Sequence, residues 1–167
     1  MSIDLHELII DPGKSLSFSC ELDTERVGQP SIERFLTPLT GTGVIRNDAG
    51  LLTLTGTLSA ELLCICDRCA SEFEKSVNIP VELTLATELE DEENPDFYLL
   101  TDEKLDLEEV LSDCFILELD SSFLCKEDCK GLCYRCGKNL NEGSCSCKKE
   151  LDPRLAVLEQ LLDDKDY

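Results

Sequence analysis

Six cysteines are packed into residues 125–147, in the order Cys125-x3-Cys129-x3-Cys133-x2-Cys136-x8-Cys145-x-Cys147, and a further pair, Cys66-x2-Cys69, stands upstream. A deprotonated thiol is a soft anionic donor, and zinc closes its coordination shell with four such donors in a tetrahedron. In Cys133-Tyr-Arg-Cys136-Gly137 a tight turn would aim two sulfurs at one ion. The glycine after it can take the positive φ that lets backbone N–H groups approach sulfur. Cys145 and Cys147 are the nearest supply for the other two positions. They are reached through Lys138-Asn-Leu-Asn-Glu-Gly-Ser144, whose asparagines and glycine suit a compact reversal.

Cys66, Cys69, Cys125 and Cys129 have the spacing for a second site, which would tie the upstream pair to the cluster. A competing partition gives Cys129, Cys133, Cys136 and Cys145 to a single ion and leaves the rest as spare thiols. One or two structural Zn2+ ions are therefore expected, each able to add about 10 kcal/mol or more of folding free energy. A segment so short and polar could hardly fold without that contribution.

Other chemistries fit less well. A Cys-x2-Cys pair can act as a dithiol switch, but redox pairs usually stand alone and not among clustered thiols. Four thiolates can also accept iron. Catalysis finds little support: the single histidine, His6, has no nucleophile nearby in sequence, and no phosphate-cradling glycine loop is present. All-cysteine zinc sites are normally closed and structural, so no enzyme is expected.

The chain has 167 residues and eleven cysteines, an odd number that precludes complete internal disulfide pairing. With no apolar leader after Met1 and no run of about 18 apolar residues, it is expected to be a cytoplasmic protein with no membrane association. In such a reducing compartment, clustered cysteines read as metal ligands.

The elements that must hold these thiols are legible from periodicity. Leu52, Leu54, Leu58, Ala60, Leu62 and Cys64 alternate with Thr53, Thr55, Thr57, Ser59 and Glu61. Phe73, Val77, Ile79, Val81, Leu83 and Leu85 alternate with polar residues in the opposite parity, Lys75 being the one break. Period two with one wet face is the mark of a strand, so an antiparallel hairpin is expected with Cys66 and Cys69 at its tip. Leu16, Phe18, Cys20 and Leu22 suggest another strand, with Cys20 a buried thiol. Residues 88–96 are acidic and carry Pro95, which predicts a solvated loop. A helix is expected near 106–119, capped by Asp106 with Glu109 at capping-box spacing. Leu107, Val110, Leu111, Cys114 and Leu117 would share its buried face. Asp152-Pro-Arg should open a short terminal helix at about 153–163, with Leu155, Leu158, Leu161 and Leu162 as its apolar stripe. The fold class is thus α+β: a mainly antiparallel sheet domain over 1–120, then a cysteine-rich zinc module and terminal helix over 121–167.

Cys66-Asp-Arg-Cys69, Asp128-Cys-Lys-Gly-Leu-Cys133, Cys136-Gly-Lys-Asn-Leu-Asn141, Cys145-Ser-Cys147 and Leu151-Asp-Pro-Arg-Leu-Ala156 together resemble the signature of the YceD family. These are the large ribosomal RNA subunit accumulation proteins of bacteria and plastids. Order, spacing and the intervening Gly-Leu and Asn-Leu-Asn all agree, although Tyr134 stands where such proteins often carry proline. The resemblance implies a non-catalytic role in ribosome biogenesis, supporting accumulation of large-subunit (23S) ribosomal RNA. A ribosomal protein or ribosomal RNA in a pre-ribosome would be the partner, and no small-molecule substrate is expected. The rival from another class is a thiol redox or metal-sensing protein.

Charge bears on the choice of partner. With 15 Lys and Arg against 36 Asp and Glu, the net charge of −21 repels phosphates and attracts basic proteins. Within residues 125–150 the balance reverses: Lys126, Lys130, Arg135, Lys138, Lys148 and Lys149 face Glu127, Asp128, Glu142 and Glu150. If RNA is touched, this module is the reasonable contact, with Lys148 and Lys149 as its first candidates.

Overall fold

A computed structural model describes residues 2–87 and 97–147. The acidic stretch 88–96, Lys148, Lys149 and the terminal helix expected at about 153–163 lie outside the described residues. In chain order the elements are β1 (Ser2–Asp4), α1 (His6–Ile10), β2 (Ser15–Glu21), β3 (Ile32–Phe35), β4 (Thr40–Asp48), β5 (Leu51–Ile65), β6 (Glu72–Ala86), β7 (Phe97–Leu99), β8 (Lys104–Asp106) and α2 (Leu107–Glu118).

The two longest alternating runs of the sequence are the two longest strands. β5 and β6 pair antiparallel without a break from Leu52↔Leu85 to Ile65↔Glu72. Their apolar parity lies on one face, where Leu54, Leu58, Leu62 and Cys64 are fully buried beside Val77, Ile79 and Val81. The main sheet runs β2-β4-β5-β6-β7, and β3 pairs with β5 beyond the end of β4. All pairs are antiparallel except β6–β7, a short parallel addition that periodicity did not announce. A second small sheet joins β1 to β8. The mainly antiparallel sheet with short helices is as expected. Among the described residues no helix is long and apolar enough to cross a membrane.

α2 covers the apolar face of the sheet. Asp106 accepts hydrogen bonds from the N–H groups of Glu108 and Glu109 at 3.1 and 3.4 Å, satisfying donors that the first helical turn leaves unpaired. Leu107, Val110, Leu111 and Phe115 are buried, whereas Leu117 is 81% exposed and Cys114 only half-buried. The buried stripe therefore follows the 107–111–115 row, and Phe115 takes the place expected of Leu117. At 3.6 residues per turn, Leu117 points some 200° away from Phe115, into solvent. Phe115 meets Phe35 with ring centroids 6.2 Å apart, which anchors β3 to the helix.

Two features explain departures from simple alternation. Lys75, the polar break on the apolar side, lays its stem across the core edge: its Nζ sits 5.0 Å from the Phe123 ring centroid and pairs with Asp120. Gly43 and Gly56 face each other across β4 and β5 beneath Phe18. A Cβ at Gly43 would lie 2.4 Å from the Thr55 carbonyl oxygen and 2.7 Å from Phe18 Cζ. Gly43→Ala should accordingly lower stability by about 1–3 kcal/mol in a denaturant titration. Gly28→Ala, with nothing within 4 Å of the added carbon, should leave the midpoint nearly unchanged.

Candidate metal centre

The hairpin closes where β5 hands over to a turn. Cys66 N donates to Ser71 O at 2.9 Å and Ala70 N to Cys66 O at 2.8 Å, so Asp67, Arg68 and Cys69 form the tip. That tip is clasped by a distant stretch of chain. Asp67 N donates to Phe123 O at 2.8 Å, while its carboxylate receives Phe123 N at 2.6 Å and Ser31 Oγ at 2.5 Å. The Arg68 carbonyl accepts from Leu132 N at 3.0 Å, and its guanidinium donates to Cys129 O at 3.3 Å. Gly131, at φ +70°, makes this approach possible: a Cβ there would stand 2.9 Å from Arg68 O.

The clasp brings four sulfurs together. Cys66 Sγ lies 3.7 Å from Cys129 Sγ, and Cys69 Sγ lies 3.6 Å from Cys125 Sγ. Cys133, Cys136, Cys145 and Cys147 form a second group, and in each group the sulfurs all lie within 4.8 Å of one another. In the second, Cys133 N donates to Lys138 O and Gly137 N to Cys133 O, both at 2.8 Å, shaping the Cys-x2-Cys turn. Gly137 has φ +69°, in keeping with the left-handed position expected after the second cysteine. The return segment is pinned by Lys138 Nζ on Ser144 O at 2.9 Å. The thiols thus gather in the two sets that the spacing suggested, and the single-ion set of Cys129, Cys133, Cys136 and Cys145 does not form.

An ideal tetrahedron with metal–sulfur bonds of about 2.3 Å has edges of about 3.8 Å. The close sulfur pairs of the first group match that edge, and both groups supply four soft donors, so either could hold a metal ion. All eleven cysteines are free thiols.

Electrostatics within each group supports the same reading. Burial opposes ionisation of Cys66, yet the peptide N–H groups of Cys125, Arg68 and Cys69 hold its thiol at about 6. Cys125 is pushed up to about 12 by burial and then by its thiol neighbours. The Asn141 side-chain amide, 3.3 Å from Cys129 Sγ, leads the downward shift of that thiol. In the second group, the N–H groups of Cys136 and Arg135 draw Cys133 down to about 6. Cys147 is pushed up to about 12, first by Cys136 and then by burial. In each group N–H donors hold at least one thiol down, while burial and hydrogen bonds to neighbouring sulfurs push another up, so the protons are shared unevenly within one small volume. A divalent cation removes that conflict.

Cys20, Cys64 and Cys114 stand outside both groups, and burial raises all three thiols. They fill space as small hydrophobes. Sequence reasoning overlooked the supporting cast: Asp67, Arg68, Gly131 and Asn141. Asn141 had been readable only as a turn former, whereas it also accepts from Lys130 N at 2.9 Å.

A β-hairpin clasped through one four-cysteine group, with a second group beside it, defines a protein built around cysteine centres able to hold metal. The family model described as large ribosomal RNA subunit accumulation protein YceD matches residues 54–162, from β5 through the cysteine cluster. The chain belongs to this YceD family. An uncharacterized protein of Mycobacterium tuberculosis is 34% identical over 117 residues, covering 65% of this chain and 55% of the relative. The YlbN protein of Bacillus subtilis is 31% identical over 113 residues, 66% of each chain. The chloroplastic YCED homolog 1 of Zea mays, printed as a large ribosomal RNA subunit accumulation protein, is 42% identical over 48 residues, 28% of this chain and 16% of its own. The chain spans about half the length of the mycobacterial relatives it matches. No solved structure matches it.

The clasp generates a paired prediction. Gly131→Ala introduces both left-handed strain and a clash with Arg68 O, so Cys66 and Cys69 should become reactive to a thiol reagent. Gly137→Ala meets nothing within 4 Å and should cost only the roughly 1–2 kcal/mol of a left-handed residue. Equal thiol protection in the two variants would show that the tip is held by something other than this approach.

Proposed function

We propose that the chain is a non-catalytic, cytoplasmic ribosome-biogenesis factor that supports accumulation of large-subunit ribosomal RNA, its fold braced by two structural zinc ions. The observation that carries this reading is the family match running through both cysteine groups. The chloroplastic relatives of Arabidopsis thaliana and Zea mays bear the ribosomal RNA accumulation name, and their aligned segments are short. Four thiolates on each ion would leave no open coordination position for a substrate, which favours bracing over catalysis.

Zinc would be held by Cys66, Cys69, Cys125 and Cys129 in one centre and by Cys133, Cys136, Cys145 and Cys147 in the other. When bound, it would supply positive charge that compensates the crowded thiolates. The remaining work belongs to the chain: Asp67 and Arg68 dock the hairpin tip, and Asn141 orients Cys129. The anionic surface suits a basic ribosomal protein as direct partner better than a phosphate backbone, since the net charge is −21.

Metal analysis beside thiol titration tests the bracing role. The expected result is about two zinc ions per chain, with eight of the eleven thiols protected until a chelator is added. A metal-free protein with readily reversible disulfides would instead make it a redox protein. The cellular role is tested by depleting the protein from growing cells and comparing the two ribosomal RNAs. Large-subunit RNA should fall relative to small-subunit RNA, and an unchanged ratio would remove the proposed function.

A further inference from the structure

The outer edge of β6 is the longest strand edge left without a strand partner among the described residues, and its chemistry is one-sided. Pro80 fixes which backbone groups face outward. It has no N–H, and it pairs with Thr57 inside an unbroken ladder, so it occupies a position whose N–H side faces away from β5. The carbonyl of Glu61, opposite Ser76, gives the same parity, because it accepts from Leu36 and Thr37 on the far side of β5. Even-numbered residues of β6 therefore direct their backbone groups outward. β7 uses this edge at 84–86 only. At residues 74–78 the outward groups of Glu74, Ser76 and Asn78 have no strand beside them among the described residues.

A groove of about 240 Å3 follows this stretch, between residues 75–79 of β6 and residues 118–120 at the C-terminal end of α2. Val77, Ile79 and Leu119 give it an apolar floor. Glu118 and Asp120 line it, and its cation, Lys75, is paired with Asp120; Glu72 and Glu74 stand exposed on the opposite, wet face of the same strand. An added strand would alternate its side chains, apolar ones toward the groove and basic ones toward the carboxylates.

We infer that residues 74–78 of β6 accept a basic, extended peptide segment of a partner protein as an added strand. This deepens the function proposed above, on which it rests, by making a basic protein and not RNA the direct partner. Proline at position 80 limits the docking length by removing one donor from the same edge.

The test uses the full zinc-loaded chain and a fluorescent ten-residue peptide of alternating lysine and valine at physiological salt. Its twin carries N-methyl groups on alternate backbone amides, which keeps the charge and removes the donors. Binding should weaken at least about tenfold for the methylated twin, the loss of one or two net hydrogen bonds. Asn78→Pro should weaken the unmodified peptide similarly, since the β5 ladder tolerates proline at that parity, as Pro80 shows. Asn78→Ala should bind as the native chain does. Equal affinity for both peptides would overturn the inference, as would an edge that binds single-stranded RNA or a second copy of the chain in its place. In cells, normal large-subunit RNA with Asn78→Pro would overturn this inference alone. Normal RNA after complete depletion would instead overturn the function beneath it.

Discussion

Thiolates repel one another, and nothing in a polypeptide gathers four of them without a structure that holds them or a cation that compensates them. The rest of this molecule is arranged around that constraint. β5 and β6 are long enough to carry Cys66 and Cys69 to the end of the sheet. The 123–132 segment returns to meet them through Asp67, Arg68 and the bare backbone of Gly131. The sheet supplies reach and the loop supplies closure, so the centre belongs to neither alone. This is why a boundary drawn between a sheet domain and a cysteine module divides one group of ligands between its two sides.

The two centres are built differently. The first joins segments more than fifty positions apart and has three of its four cysteines buried. The second is local, organised by short turns, with Cys136 exposed. A long-range crosslink removes more freedom from the unfolded chain than a local one, following the logarithmic dependence of closure entropy on loop length. The first centre therefore bears on global stability, and the second on the order of its own segment.

Much of this was readable before any coordinates. β5 and β6 were legible because period two persists over both runs and only one face is apolar. Turn spacing offered the two groups of four cysteines beside a single-ion alternative, and only the folded chain shows which sulfurs gather. What escaped was what depends on three-dimensional approach. The alternation did not reveal the parallel β7, and it placed Leu117 in the core because an apolar residue on a helix carries no label of its own angle. Asp67 and Gly131 were invisible for another reason: their partners, Phe123 and Arg68, are remote in sequence and offer backbone atoms, which are the same at every position.

Asn141 lies on the chain between Cys136 and Cys145, yet its amide reaches Cys129 of the neighbouring centre and its oxygen receives Lys130 N. A side chain carried by the loop of the second group thus touches a sulfur of the first. Were both filled, their occupancies would be linked: ordering the loop of the second group would present this amide to Cys129 in advance, and filling the first group would return the favour in equal measure. The far end of the molecule would then assemble as a cooperative pair, and the two ions would not come and go as independent events.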